Sequence, residues 1–302
     1  MSHASQPLNW GAELLWQRLE PLLPGLSVEI AARTDSTNTR LLERARRESA
    51  ERGGRLSRAG ELEPPTPRGR RTDDLKPCLL VAEHQTGGRG RLGRDWHASA
   101  GASLTFSLAL TLEPRDWSGL SLAVGLALAD ALEPAGAGPP RIGLKWPNDI
   151  FLMGAPGLAG AGRKLGGILI ETLSVGHRRV CVVGVGLNVL PQPDEGPSAG
   201  SACLQEIDPA VSAPAALAAV AEPLVRMLLA FEKTGFAPLV QAYSRRDLLA
   251  GHAVSTTAPG VDGGVAEGVD DQGGLRVRAG SVVHTLVSGE VSVRLQPPGA
   301  SA

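Results

Sequence analysis

The chain has 302 residues, enough for one large domain or a domain with a small companion, and its 42% hydrophobic content is that of a soluble globular protein. A net charge of −1 and only 3% aromatic residues argue against a general nucleic-acid binder. Three scattered cysteines (Cys78, Cys181, Cys203) form no CxxC, Met1–Gly25 carries no secretory pattern, and no apolar run nears the roughly 20 residues of a membrane span; together these point to a reducing, cytoplasmic setting without a membrane partner.

Residues 1–26 read as an N-terminal extension, and 27–33 as the first strand. Asp35 or Ser36 then caps a helix with Leu41, Leu42 and Ala45 on one face. From Ala50 to Lys76 the composition shifts to Gly, Pro, Arg and Glu without hydrophobic periodicity, the pattern of a flexible insertion. Leu79–His84 is a short buried strand that runs into a glycine–arginine loop, Gln85 to Trp96. Ser103–Leu112 alternates, with Leu104, Phe106, Leu108, Leu110 and Leu112 on one side, and reads as a half-buried strand. Leu120, Val124, Leu128 and Leu132 repeat at helical spacing. Three strand-like runs follow at Ile142–Lys145, Leu165–Leu173 and Arg179–Leu187, then helices over 214–233 and 236–249. From Val254 to Leu295 short β-type runs are punctuated by glycine, which suggests a small barrel or sandwich and a boundary near Leu249.

The loop contains Gly88-x-Gly90-x-x-Gly93, a literal dinucleotide fingerprint. That reading requires a helix next, and here a strand follows. The P-loop alternative fails because Arg94-Asp95 stands where Lys-Ser/Thr is needed. What remains is a loop whose glycines permit close backbone approach and whose Arg89, Arg91 and Arg94 can grip an anion. Lys145-Trp146-Pro147-Asn148-Asp149 ends a strand, a usual place for ligand groups, although an Asn-Asp turn alone would have the same look. Asp149 there can offer oxygen to Mg²⁺. Paired glycines after Arg163-Lys164 and the Gly184-Val185-Gly186-Leu187-Asn188 run mark close approach by a ligand or a neighbouring backbone. Ser36-Thr37-Asn38 reads as a helix cap that could also serve a polar ligand.

Taken together, these segments resemble the biotin–protein ligases, also called biotin–[acetyl-CoA-carboxylase] ligases, from about Ser27 to Arg294. The loop, the Lys-Trp-Pro-Asn-Asp strand end and Lys164-Leu165-Gly166-Gly167-Ile168 are specific in combination. The resemblance implies an α+β fold: a mixed, mainly antiparallel sheet with helices packed on one face over residues 27–249, and a small SH3-like β-barrel over 250–302. It implies ATP-dependent activation of biotin to biotinyl-5′-AMP, followed by transfer to a lysine of a biotin carboxyl carrier protein, with Mg²⁺ accompanying ATP. Biotin contacts map onto Ser36, Thr37, Asn38, Gln85, Arg89, Gly90, Arg91, Lys164 and Gly184. Nucleotide contacts map onto Arg91, Arg94, Trp96, Asn148, Lys164 and Asn188. Lys164, Arg91 and Arg89 are the expected catalytic cations, and Asp149 the expected metal ligand. No general base stands out.

The segment before the first strand leaves no room for the N-terminal winged helix-turn-helix of the repressor-type members, so the resemblance is to the monofunctional class and no nucleic-acid partner is expected. It leaves a homodimer open. The competing readings are a lipoate–protein ligase and a non-catalytic biotin sensor or nucleic-acid binder.

Overall fold

In the computed structural model, residues 8–56, 76–96, 98–133, 138–154, 162–175, 178–191, 201–287 and 292–296 are described. The elements in chain order are α1 (Ala12–Leu19), β1 (Ser27–Ala31), α2 (Thr37–Leu56), β2 (Cys78–Ala82), β3 (Gly88–Arg89), β4 (Asp95–Trp96), β5 (Ser103–Thr111) and α3 (Leu120–Leu132). They continue with β6 (Ile142–Lys145), β7 (Asp149–Leu152), β8 (Arg163–Val175), β9 (Arg178–Asn188), α4 (Ala213–Thr234) and α5 (Val240–Ser244). The last five strands are β10 (Ala253–Ala258), β11 (Val261–Val269), β12 (Leu275–Ala279), β13 (Val282–Leu286) and β14 (Val293–Leu295).

Seven strands form the main sheet in the order β1-β2-β5-β9-β8-β7-β6. Only β1 and β2 run parallel; the other ladders are antiparallel. The mixed, mainly antiparallel expectation holds. Helices α1, α3 and α4 cover one face, where Leu79, Phe106, Leu108, Val183 and Val185 meet Leu15, Val124, Leu128, Leu217 and Leu224 in one core. α4 is long and apolar enough by composition to cross a membrane. Here its apolar residues Val220, Leu224, Leu228 and Phe231 are buried in that core.

The expected single helical layer gains a fourth member on the opposite face. Leu41, Leu42 and Ala45 of α2 pack there on Cys78, Leu80, Ala109, Val180 and Val182. This corrects the reading of β5 as half-buried: all its residues but Thr111 are buried. The face predicted for solvent lies under α2 and beside a cavity instead.

Two other readings change. α2 continues through residues 50–56, and the remaining 57–75 of the predicted insertion lie outside the described residues. The helix read over 236–249 stops at Ser244. Beyond it the backbone turns to pair with β6, Leu144 N–H donating to Arg246 O and Leu248 N–H to Leu144 O. The Arg246 side chain, buried among Asp130, Glu133 and the Ile142 carbonyl, secures that turn. α1 falls in the stretch read as an extension and buries Leu15 and Leu19.

The C-terminal strands make a second, antiparallel sheet in the order β13-β12-β11-β10-β14. Among the described residues β13 and β14 are not paired with each other, so the sheet is open rather than a closed barrel.

Candidate active site

The cavity begins where α2's apolar contacts end. On that face of the sheet, Ser107 pairs with Gly184 and Thr105 with Gly186 across β5–β9, while Leu169 pairs with Gly184 and Gly167 with Gly186 across β8–β9. Small residues therefore form a floor set below the surrounding side chains. Two glycines are required for this. A Cβ on Gly184 would lie 2.2 Å from Asn38 Oδ1, and one on Gly186 would lie 2.5 Å from the Trp96 ring.

One end of the cavity is neutral and heavily hydrogen-bonded. Ser36, Thr37, Asn38 and Gln85 are all buried. Gln85 Oε1 accepts from Thr37 N–H at 2.8 Å, so a side chain from the glycine loop satisfies the first turn of α2. Ser107 Oγ lies 2.6 Å from both Thr37 Oγ1 and Asn38 Oδ1. A hydroxyl has one proton and a carbonyl oxygen none, so Ser107 donates to Asn38 and receives from Thr37. Asn38 Nδ2 donates onward to Leu169 O and to Glu171 Oε2 at 2.9 Å.

The other end is cationic. Arg89, Arg91, Arg94, Lys145, Lys164 and Arg294 line the cavity against the carboxylates Asp95 and Asp149, around a space of about 180 Å³. The loop makes one turn at Arg91–Gly93, with Leu92 in the left-handed region at φ 58, and Gly90 N–H donates to Arg94 O. β3 and β4 then pair Gly88 with Trp96 and so place the indole over Gly186. Trp96 Nε1 and Thr105 Oγ1 are buried without a hydrogen-bond partner among the described residues, which suits a ligand carrying acceptors and donors.

The β6–β7 hairpin carries the Lys-Trp-Pro-Asn-Asp run. Asn148 donates to Ile168 O and receives from Arg91 Nη1 at 3.3 Å. Lys164 Nζ donates to Asp149 Oδ1 at 2.6 Å. Burial lowers the Arg91 and Lys145 pKa values from their ordinary range. For Lys145, the charges of Lys164, Arg94 and Arg294 push the same way and Asp149 opposes them. A cluster of cations deprived of water favours any anion that enters.

Of the residues expected from sequence, Ser36, Thr37, Asn38, Gln85, Arg89, Gly90, Arg91, Arg94, Trp96, Asn148, Asp149, Lys164 and Gly184 all line this cavity. Asn188 does not. Its amide donates to Ala202 O at 3.1 Å and ties the end of β9 to the following segment. Arg89 lines the cavity, but its charge is engaged by Glu171 at 2.7 Å. Thr105, Ser107, Glu171, Lys145 and Arg294 were not singled out. The signal for the first two was present: the supposed solvent side of β5 reads Thr-Ser-Ala-Thr and carries no charge, which is unusual for a face in water. Arg294 gave no such signal, because only the placement of β14 brings it here.

The chain is 37% identical over 228 residues to the biotin–[acetyl-CoA-carboxylase] ligase of Mycobacterium tuberculosis, covering 72% of this chain and 79% of that one. It belongs to the biotin protein ligase family. Residues 71–188 match the Biotin/lipoate A/B protein ligase family, a span that takes in β2, the glycine loop and the strands through the end of β9. A second relative in the biotin protein ligase family, the bifunctional ligase/repressor BirA of Escherichia coli, is 31% identical over 278 residues, covering 90% of this chain and 75% of that one. The fold matches the family's solved member from Aquifex aeolicus, a biotin protein ligase in complex with biotin and ATP, with a TM-score of 0.64, 26% identity, and coverage of 89% of this chain and 99% of that one.

Proposed function

We propose that this protein activates biotin with ATP to biotinyl-5′-AMP and passes the biotinyl group to a lysine of a biotin carboxyl carrier protein. The observation that carries this is the polarity of one cavity, neutral and hydrogen-bonding at the α2 end, cationic at the loop end. Biotin has the same polarity, with a neutral ureido ring at one end and a carboxylate at the other.

The ureido ring sits against Ser36, Thr37, Asn38 and Gln85, where the N-terminus of α2 favours its carbonyl oxygen. The carboxylate then points at Arg91 and Lys164. Two anions must meet in the first step, and the surrounding cations offset their repulsion. A carboxylate oxygen attacks the α-phosphorus, a P–O bond forms, and pyrophosphate leaves with the electron pair of the bond that breaks. Lys164 is placed to hold both carboxylate and α-phosphate; Arg94, Lys145 and Arg294 face the remaining phosphates, and Trp96 and Asn148 the nucleoside. In the second step a neutral lysine amine of the carrier attacks the acyl carbon of the mixed anhydride; the C–N bond forms as the C–O bond to phosphate breaks, AMP leaves with that electron pair, and the nitrogen sheds one proton to solvent. Closing of the loop over the adenylate would keep water from the anhydride.

Asp149 fits Mg²⁺ as a single carboxylate, already paired with Lys164, which suits a metal that arrives on the nucleotide's phosphates rather than one held in advance. Such an ion would add charge neutralisation at the phosphates. A homodimer belongs to the same proposal, and its mass in solution would report it.

The test is pyrophosphate release with biotin or lipoate as the acid. Release and an acid-labile adenylate are expected with biotin; activity with lipoate and none with biotin would overturn the reading.

A further inference from the structure

The polar contacts of the cavity form a ring that opens and closes on the glycine–arginine loop. It starts at Gln85, whose Oε1 accepts from the Thr37 backbone N–H. It passes from Thr37 to Ser107, from Ser107 to Asn38, and from Asn38 to Glu171. It returns through Glu171, whose two oxygens lie 3.0 and 2.7 Å from Arg89 Nη2. Between the two ends lie only Thr86, Gly87 and Gly88, and a Cβ on Gly88 would stand 2.9 Å from Gln85 Nε2 and 2.3 Å from Trp96 O. The base of the loop is thus gripped at both ends by one connected set of hydrogen bonds. Within this set Arg89–Glu171 is the ion pair, both of its partners being charged.

We propose that Glu171 is a positioning residue for the first substrate, coupling the ring-binding end of the cavity to the base of the loop through its simultaneous bonds to Asn38 and Arg89. In this assignment Arg89 is an anchor and not one of the cations that meet phosphate. Glu171 suits the task because a carboxylate accepts from two donors at once, whereas a neutral acceptor would hold the guanidinium weakly. When a ligand loads Asn38, the same carboxylate keeps Arg89 and the loop base in register, so substrate binding and loop order support each other. Arg91 and Arg94, beyond the grip, donate instead to the neutral side chains of Asn148 and Ser292.

This rests on the biotin reading for its substrate, and a ligand-free measurement separates the two. Glu171→Gln keeps an acceptor for Asn38 and removes the charge that holds Arg89. It is expected to raise KM for biotin about tenfold, the scale of one charge-assisted hydrogen bond. KM for ATP and kcat at saturating biotin should stay within about twofold, since no transition-state contact is lost. The double variant Arg89→Gln/Glu171→Gln should match Glu171→Gln alone, because each single change already breaks the same link. In the ligand-free protein, amide exchange over residues 86–92 should quicken about tenfold in Glu171→Gln, as a loop with less anchorage opens more often. An unchanged biotin KM, a loss confined to kcat, both KM values rising together with a lowered Tm, or an additive double variant would each overturn the proposal. So would unchanged loop exchange, which can be read even if the wild-type protein forms no adenylate with biotin.

Discussion

Lys164 Nζ and Asp149 Oδ1 stand 2.6 Å apart across the β7–β8 ladder, although the residue in register with Asp149 is Gly167. The register shifts between Ile150 and Phe151, and the end of the Lys164 chain reaches back beside Gly167. The ammonium is therefore aimed into the cavity before any ligand arrives, and its partner lies on the hairpin that also carries Asn148. Lys164→Ala should reduce biotin-dependent ATP–pyrophosphate exchange by at least about 10²-fold, the scale of losing one positioned charge in a transition state. The pair is partly exposed, so the melting temperature should hardly move. Exchange at the wild-type rate would remove Lys164 from the mechanism.

Ser107 occupies the middle of the neutral end, fully buried between Thr37 and Asn38. Ser107→Ala strips a donor from the oxygen of the buried Asn38. The expected cost is about 1–3 kcal/mol of stability. KM for biotin should rise with it, while KM for ATP should not. Urea denaturation and steady-state kinetics read the two effects, and a change in neither would mean that the polar chain adjusts without loss.

Lys145 has the clearest expected pH signature. Burial, with three cations nearby, lowers its pKa, and only its protonated form attracts phosphate. Its charge is therefore present at low pH and lost as pH rises through a value below the ordinary ~10.4 of a lysine. In the free enzyme kcat/KM for ATP should fall on the alkaline side accordingly. Lys145→Arg keeps its proton throughout and should carry that limb to higher pH. A limb at the same pH in both proteins would assign it to another group.

Arg294 lies on β14, outside the main sheet, yet it lines the cavity with Ser292 and Val293. Arg294→Ala should raise KM for ATP by about tenfold, the loss expected for one charged contact to phosphate, and leave biotin binding in the absence of nucleotide unchanged. Calorimetric titration with each ligand separates the two. An effect on biotin alone would place the guanidinium elsewhere.

The thiols provide a check on packing. Cys78, Cys181 and Cys203 are unpaired and buried, and burial pushes the Cys181 thiol up to about 12. Native protein should then resist a thiol reagent at neutral pH, with three groups reacting on unfolding. Rapid modification in the native state would contradict the packing around β2 and β9.

Most strands and the long helices were legible because their periodicity follows from burying one side. β5 shows the limit of that logic. Alternation was read as one face in the core and one in water, yet the second face lies under α2 and over the cavity. Local sequence reports polarity, and small hydroxyl residues are polar whether they face water or a ligand. Arg89, Arg91, Arg94, Asp149 and Lys164 stood out by type and spacing and line the cavity, whereas the charged Lys145, Glu171 and Arg294 did not stand out. Which arginine is engaged was not legible, because Glu171 lies 82 positions from Arg89 and only the β8–β9 ladder carries it there. The early end of α5 was hidden for a similar reason. Its continuation is decided by a backbone pairing with β6, about a hundred residues earlier in the chain.

The reach of β14 into the cavity bears on how this protein could be divided. Arg94 donates to Ser292, so the glycine–arginine loop leans on the residue just before the last strand of a separate sheet. A cut in the turn near Gly251 would leave the neutral end and most cations on one fragment and Arg294 on the other. Such a pair of fragments would need about tenfold more ATP apart than together to label a carrier, so biotin laid down at low ATP would be a lasting record of their encounter.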